Sequence, residues 1–435
     1  MPRRIRERLV SVDRSLWIIL LGTLIRIDTA IRFNPLHGYD APDHVKIMEL
    51  LGRGVVARIE DNWEAQHPPL FYALALAGSL VGLGDRGGQL VSVLAGATRL
   101  LVANHLYEKL ERLVPTMPRQ TRLAANALHA FLPVSLRMDV FFNPESLAAT
   151  LSLASVALAL APRPFLAGLV LGAALLSKSS AVAAVPAVGL ALLLAKGTFG
   201  ERARKLAVTW ALGASILMTW AWPNVKTHHT PYPPAQLIDK AAAWQKPVLE
   251  RHSSAYFLPK FTHRQLTYPF YTPPLSMPNV LLVDAWGDYY NFLNRGIRHE
   301  GSEVEIANGR LLGKPKLWIN TALAHLSVVY LAGLAFGVVW ALVRIRRAQF
   351  PRVELAMAAH GAGYVSIMVA YGIWHALETD GPAKAAYGMG SSGILCWWTA
   401  AAFAWCLGRG GVTRWVAALL LAAPGVLAGV GRILW

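Results

Sequence analysis

Charged residues are scarce in this sequence. Asp, Glu, Lys and Arg make up 15% of the 435 residues, whereas 54% are hydrophobic. A soluble globular chain carries about 25% charged residues. Apolar runs of about 20 residues, the length that spans a bilayer, recur along most of the chain. The composition therefore excludes an ordinary soluble domain and predicts an all-α, polytopic protein integral to a cell membrane.

Cysteine is almost absent, and two further signals are missing. The 2 cysteines, Cys396 and Cys406, fall in one apolar segment, which argues against a disulfide framework or a cysteine metal site. No glycine-rich phosphate loop of the Walker type occurs, so nothing points to a bound nucleotide. No internal repeat is evident, which argues against a transporter built from duplicated halves.

The basic residues lie in short clusters between apolar segments. The net charge is +17, which in a soluble protein would suggest a nucleic-acid partner. Here the arrangement is typical of the positive-inside rule for membrane proteins, and no nucleic acid is expected. The clusters lie at 1–14, 108–122, 196–205, 344–352 and 408–414.

These clusters also constrain the topology. If every apolar segment crossed the bilayer, the cluster at 108–122 would lie opposite the cluster at 1–14. The conflict disappears if the segment at 69–84 stays on the outer side as a juxtamembrane or re-entrant helix, which leaves about eleven crossings with all basic clusters in the cytoplasm. We expect a transmembrane module at 1–222 with a first outer loop at 34–68, an irregular outer loop at 223–316, and further transmembrane helices at 317–435.

Unusual polar residues follow the first apolar segment. The stretch GYDAPDHVKIMELL (38–51) contains Asp40, Asp43 and His44, and QHPPLFYAL (66–74) contains His67. The first stretch predicts a short amphipathic helix, with Asp43 as its N-cap. Acids are costly beside a membrane, so a reaction centre is one interpretation. A solvated loop with a capping residue and a histidine at a helix start is the other.

Two lysines and one pair of polar residues complete the outer-side set. Lys178 lies in LLSKSS (175–180) and Lys384 in DGPAKAAYGMG (380–390), and each either extends toward lipid headgroups or binds a phosphate. Asn143 and Glu145 lie at the predicted outer tip FFNPESLAA (141–149).

Several ionisable residues lie inside apolar segments. Asp28 and Arg32 are spaced for a helical ion pair. Arg26, Arg99 and His105 are expected to face the bundle interior or a polar rim.

The order of these motifs resembles the C-type, polyprenyl-phosphate-dependent membrane glycosyltransferases. The similar members are the bacterial protein O-mannosyltransferases and the lipid A aminoarabinose transferases. The motifs are the acid after the first helix, the HPPL segment, the tip at 141–149, the Ser-Lys turn at 177–178, and a late Lys-x-x-Tyr stretch that ends at Tyr387. DAWGDYYNF (284–292) is similar to a tryptophan and glycine motif of some members.

The resemblance implies an activity and a role for each of these residues. The activity is transfer of a sugar from a polyprenyl-phosphate donor to an acceptor hydroxyl on the outer face, with inversion. Asp40 would be the general base, and Lys178 and Lys384 would stabilise the phosphate. The remaining candidates for substrate or phosphate binding are Asp43, His44, His67, Asn143, Glu145 and Tyr387.

The sequence departs from the family pattern at three positions. Ala41, Asn143 and Ala386 stand where relatives carry Glu, Asp and Arg. A catalytically inactive partner subunit of the same fold, or a lipid or solute transporter, therefore stays open as an alternative. Without a second acid beside Asp40, we expect no cofactor and favour a metal-free reaction, although Asp40, Asp43, His44 and Glu145 are donors that a divalent cation accepts.

Overall fold

The structure is a computed structural model that describes residues 13–36, 38, 40–118, 120–233, 258–259, 276–286, 314–347, 349–374 and 385–433. Its described residues form helices and turns, and no strand occurs among them. The all-α prediction is thus confirmed for this part of the chain. Lys384, most of the outer segment 223–316 and the motif residues 287–292 lie outside the described residues.

The first half of the chain supplies most of the site. Its helices are α1 (Arg14–Arg32), α2 (Ala41–Gly52), α3 (Leu70–Gly78), α4 (Arg86–Leu113), α5 (Thr121–Phe131), α6 (Pro133–Met138), α7 (Glu145–Leu160), α8 (Pro164–Leu175), α9 (Ala184–Leu193) and α10 (Phe199–His228). Short 3₁₀ turns at Trp63–Gln66 and Ser179–Ala183 carry further site residues.

The second half adds the helices that pack behind them. These are α11 (Met277–Trp286), α12 (Lys314–Arg346), α13 (Arg352–Trp374), α14 (Ser392–Gly408) and α15 (Gly411–Ile433), with a 3₁₀ turn at Ala385–Ser391 before α14.

Helices α1 and α4 run antiparallel, and the segment between them stays at one end of the bundle. Arg86, at the start of α4, donates to the carbonyls of Ala30 and Ile31 at the end of α1, at 2.8 and 2.9 Å. Arg122, just beyond α4, pairs with Asp13 at the start of α1. The segment that holds α2 and α3 therefore starts and ends at the same end of the bundle, and the prediction that 69–84 does not cross the membrane stays a prediction.

Helix α3 packs against the start of α4 with almost no space between the backbones. A side chain at Gly87 would place its Cβ 2.3 Å from the carbonyl oxygen of Ala75. Only glycine permits so close a contact at this position. The hairpin therefore holds α3 firmly at the end of the bundle where the polar loop lies.

Arg352 marks the opposite end of the bundle. Its guanidinium donates to Ala191 O at 2.7 Å and to Ala159 O at 3.2 Å, near the C-termini of α9 and α7. Cations favour helix C-termini, where carbonyls lack partners. The N-terminal end of α7 and the turn that precedes α9 consequently meet at the other end, beside α2 and α3.

Large apolar side chains of α4, α7, α8, α9 and α14 fill the centre. Four helices within the described ranges are long and apolar enough to cross a membrane: Arg86–Leu113, Phe199–His228, Thr321–Arg346 and Arg352–Ala370. Shorter apolar helices occur at Leu70–Leu83, Glu145–Leu160, Pro164–Leu175, Ser179–Leu193 and Gly411–Leu427. The total of about eleven crossings stays a prediction.

Candidate active site

Lys178 joins three segments that are far apart in the sequence. It directly precedes the 3₁₀ turn after α8, and its side chain is buried. Its Nζ lies 3.2 Å from Glu145 Oε1, at the start of α7, and 3.2 Å from His67 Nε2, in the loop before α3. The ring centroid of Tyr387 lies 5.6 Å from the same ammonium. Four of the residues selected from the sequence therefore meet at one point.

Glu64 connects this lysine to the first outer loop. Its Oε2 lies 3.0 Å from His67 Nε2 and 3.7 Å from His44 Nδ1, and its side chain is only 3% exposed. The sequence reading missed Glu64. One signal was available, because Glu64 precedes His67 by three residues, the spacing that places two side chains together on one turn.

His44 lies on the buried face of α2 and contacts residues of two other elements. Its Nδ1 lies 2.8 Å from the hydroxyl of Tyr72 on α3, and its Nε2 lies 3.3 Å from the amide nitrogen of Asn143. Burial lowers the pKa of His44 to about 4, against the opposing effect of the nearby Glu64 carboxylate. His44 is therefore neutral at physiological pH.

Asp40 occupies the N-cap position of α2 in a left-handed conformation, with φ 57° and ψ 20°. A non-glycine residue rarely adopts this conformation, which is tolerated best by Asn and Asp. Its side chain does not cap the helix, and its negative charge acts on both His44 and Tyr72. The half-buried carboxylate thus lies at the edge of the polar cluster, which is formed by Lys178, Glu145, His67, Glu64 and His44.

Asp43 does not have the capping role expected from the sequence. It lies inside the first turn of α2, because the helix begins two residues earlier. Its carboxylate accepts hydrogen bonds from Asn62 Nδ2 and Trp63 Nε1, each at 3.1 Å. Asp43 therefore ties the 3₁₀ turn that carries Glu64 to the helix that carries His44. This tie positions the two residues relative to each other.

A second polar group lies deeper in the bundle, around Asp139. Its carboxylate binds Arg26 Nε at 2.7 Å, Arg99 Nη2 at 2.9 and 3.0 Å, and Ser146 Oγ at 2.7 Å. Arg26 and Arg99 are fully buried, as expected, but His105 is exposed on the surface of α4. Because Ser146 follows Glu145, this group fixes the start of α7 next to Lys178.

Asp284 links the described part of the outer segment to the bundle. Its carboxylate accepts from Arg137 Nη2 and from the backbone N–H of Ala385, each at 2.7 Å. Both Arg137 and Asp284 are buried. The link connects α11 to α6 and to the turn that carries Tyr387. It is the structural role found for the first residue of the motif at 284–292.

The described residues do not form a metal site. No three side chains of Asp, Glu, His or Cys among them converge as a bound ion would require. Glu145 and Glu64, the two buried carboxylates of the cluster, contact Lys178 and His67 respectively. Asp43, another of the candidate ligands, contacts Asn62 and Trp63 instead.

Comparison with solved structures identifies the architecture. The chain matches the oligosaccharyltransferase of Archaeoglobus fulgidus in its apo form, with a TM-score of 0.53 and 13% identity over 96% of this chain. It has a C-type glycosyltransferase fold. The same archaeal enzyme in complex with an inhibitory peptide and a dolichol-phosphate gives a TM-score of 0.55 at 13% identity.

The chain corresponds to only part of the archaeal enzyme. The chain spans 56% of the length of the archaeal enzyme. ArnT from Cupriavidus metallidurans, bound to undecaprenyl phosphate, matches over 90% of this chain and 78% of its own, with a TM-score of 0.39 and 16% identity. No family model matches the sequence, and no curated protein does.

Proposed function

We propose that this protein is an integral membrane glycosyltransferase that moves a sugar from a polyprenyl-phosphate donor to an acceptor hydroxyl, with inversion. The observation that carries the proposal is the convergence of Lys178, His67 and Glu145 beside Asp40 at one end of a C-type bundle. A cation, a carboxylate and neutral polar groups at the end of an apolar bundle suit a reaction between a lipid phosphate and a hydroxyl.

The donor would place its lipid tail among the apolar helices and its phosphate near the ammonium of Lys178. In the reaction, the bond between the anomeric carbon and the phosphate oxygen breaks, and the phosphate leaves as an anion. Lys178 stabilises this charge in a buried setting, where electrostatic interactions are stronger than in water. Lys384 is proposed, from the resemblance alone, to add a second positive charge.

Asp40 would act on the acceptor. As the acceptor oxygen attacks the anomeric carbon from the face opposite the phosphate, its proton passes to the Asp40 carboxylate, which inverts the configuration. The half-buried position of Asp40 suits a base that an acceptor must reach. The remaining polar residues hold Lys178 and the first outer loop (34–68) in place. The proposal assigns no role to a metal.

The reaction is proposed to occur on the extracytoplasmic side of the inner or plasma membrane. Arg352 lies at the bundle end opposite the cluster, and the positive-inside rule places such basic segments in the cytoplasm. Two arguments, the charge distribution and the position of the polar cluster, therefore support the same orientation.

The decisive test is Asp40→Asn in purified protein, assayed with radiolabelled polyprenyl-phosphate sugars. We expect transfer to fall by roughly a hundredfold or more, the loss typical of a missing general base. Asp61→Asn is the matched control, since Asp61 lies in the same loop, is exposed, and only accepts a hydrogen bond from the Arg58 N–H. It should leave transfer unchanged. Full activity of the Asp40→Asn protein would refute the assignment.

An inactive partner subunit is the second candidate, favoured by Ala41, Asn143 and Ala386 at positions where relatives carry charged residues. It predicts that the wild-type protein transfers no sugar with any donor. It further predicts that the protein copurifies with an active enzyme and that Asp40→Asn leaves this association intact.

A further inference from the structure

Asn143 makes two contacts that together fix the orientation of its side-chain amide. Its Oδ1 accepts a hydrogen bond from the backbone N–H of Glu145 at 3.0 Å, at the start of α7. This local bond from a side-chain oxygen to a backbone N–H two residues on is the common arrangement for Asn at a turn. Since the oxygen is engaged there, the NH₂ group must face the other way, toward His44.

The amide orientation in turn fixes the proton on His44. Asn143 Nδ2 lies 3.3 Å from His44 Nε2, and an NH₂ group can only donate. His44 Nε2 must therefore accept, so the ring proton is on Nδ1. That atom lies 2.8 Å from the Tyr72 hydroxyl and 3.7 Å from Glu64 Oε2.

We propose that Asn143 is a positioning residue that holds His44 as the neutral imidazole with its proton on Nδ1. His44 then donates to the hydroxyl oxygen of Tyr72, which leaves the hydroxyl proton of Tyr72 to be donated onward. The charges of Glu64 and Asp40 both act on this hydroxyl. Asn143 thus sets the direction of the hydrogen bond from His44 to Tyr72, whose hydroxyl lies within the field of the candidate base.

The charged surroundings of His44 show why this control matters. Glu64 and Asp40 favour a positive imidazole, whereas Lys178 and the neighbouring His67 oppose it. Burial has the largest effect and lowers the pKa of His44, and the residue at 143, which contacts the ring directly, adds to this balance through its donor or acceptor character. Asparagine favours the neutral ring. Aspartate would accept from Nε2–H, favour the imidazolium and raise the pKa of His44.

A positive His44 would oppose the proposed reaction. It would stabilise the Asp40 carboxylate and so weaken it as a base. The added proton would lie on Nε2, the nitrogen that faces residue 143, while Nδ1–H would still donate to the Tyr72 hydroxyl. Asparagine at 143, where relatives carry aspartate, is then a requirement of this site rather than a sign of an inactive protein. This catalytic consequence rests on the proposed function, but the state of His44 does not.

The state of His44 can be observed without an activity assay. In protein labelled with ¹⁵N-histidine and reconstituted in lipid, the His44 signals are assigned by their loss in His44→Gln. We expect a protonated Nδ1 and an unprotonated Nε2 throughout pH 5.5 to 8. A wild-type spectrum with the proton on Nε2, or on both nitrogens, would overturn the proposal whether or not the protein transfers sugar.

Asn143→Asp is the sharpest variant, since it keeps an oxygen for the Glu145 N–H and changes only the group that faces His44. Both ring nitrogens should be protonated at pH 6. Sugar transfer should fall about tenfold for each pH unit below the raised pKa of His44, a dependence that the wild type lacks in this range. The double variant Asn143→Asp with His44→Gln should lose that dependence, because the titrating group is gone.

Three results would contradict this reasoning. One is a pH profile of Asn143→Asp that parallels the wild type, and another is a dependence that persists in the double variant. If Asn143→Asp fails to fold, Asn143→Ser removes the amide NH₂ that faces His44 while keeping an oxygen for the Glu145 N–H. It should populate both neutral tautomers of His44, and a single unchanged tautomer is the third contradictory result.

Discussion

Asp139 is the residue whose removal should destabilise the bundle most. Its fully buried carboxylate accepts from Arg26, Arg99 and Ser146 at 2.7 to 3.0 Å. Asp139→Asn keeps the size of the side chain but removes the negative charge between two arginines. Both guanidinium groups would then share a single amide oxygen in a buried environment.

The expected cost follows from this geometry. Removing one partner of a buried ion pair costs about 3 to 5 kcal/mol, mainly because the other charge is left uncompensated. Since Asp139 neutralises two cations rather than one, we expect a loss in the upper part of this range. Sugar transfer should fall as well, because Ser146 and Glu145 are neighbours and Glu145 contacts Lys178.

The measurement is the free energy of unfolding from titration with SDS in mixed micelles. Asp28→Asn is the control. Asp28 pairs with Arg32 at 3.1 Å, but the two side chains are 32% and 59% exposed. Such surface pairs contribute about 0 to 1 kcal/mol. Adding Arg99→Met to Asp139→Asn should restore part of the stability. An effect of Asp139→Asn no larger than that of the control would refute this account of the buried group.

Three other predictions concern the site and its connections. Lys178→Ala should raise the KM for the lipid donor by roughly tenfold or more and change the acceptor KM little, since the lost charge acts on the phosphate; equal changes for both substrates would contradict this role. The pKa of His44 is about 4 in the folded protein, against an ordinary value of 6.5. Between pH 6.5 and pH 4, His44 therefore gains a proton in the unfolded state but not in the folded state. Stability is therefore fully present above pH 6.5 and falls by about 3 kcal/mol as pH drops to 4, at about 1.4 kcal/mol per pKa unit; His44→Gln should flatten this part of the measured stability profile. Asp284→Asn should loosen α11, because Arg137 loses a buried partner; faster limited proteolysis after α11 would show it, and an unchanged cleavage rate would argue against the link.

The sequence predicted the parts of the molecule that depend on local patterns. The helix at 41–52 follows from apolar residues at amphipathic helical spacing and a proline at its start, and the return of the chain at 69–84 follows from the charge clusters. The capping residue was wrong by three positions, because Pro42 and Asp43 suggested a later start than the helix has. Helix boundaries depend on backbone conformation, which sequence patterns determine only loosely.

Glu64 and Asp139 show why the rest could not be predicted. The importance of Asp139 comes from Arg26 and Arg99, which are distant in the sequence, and Glu64 lies near His44 of another helix as well as the neighbouring His67. The arginines in apolar segments were recognised, and a buried arginine pairs with an acid or with backbone carbonyls. A search for an acid inside another apolar segment would have found Asp139. Which arginines it binds depends on helix packing and requires the structure.

Directly after the proline pair at 68–69, one backbone hydrogen bond joins the start of α3 to the end of α8. Leu70, the first residue of α3, donates its N–H to the carbonyl of Leu176 at the end of α8, at 3.0 Å. The positive end of one helix dipole thus meets the negative end of another, two residues from Lys178. Among single substitutions, only proline at position 70 would remove this donor. Because both atoms of this contact belong to the backbone, any residue except proline can form it. Such a contact can therefore persist while the sequence diverges, and a sequence comparison would not detect it.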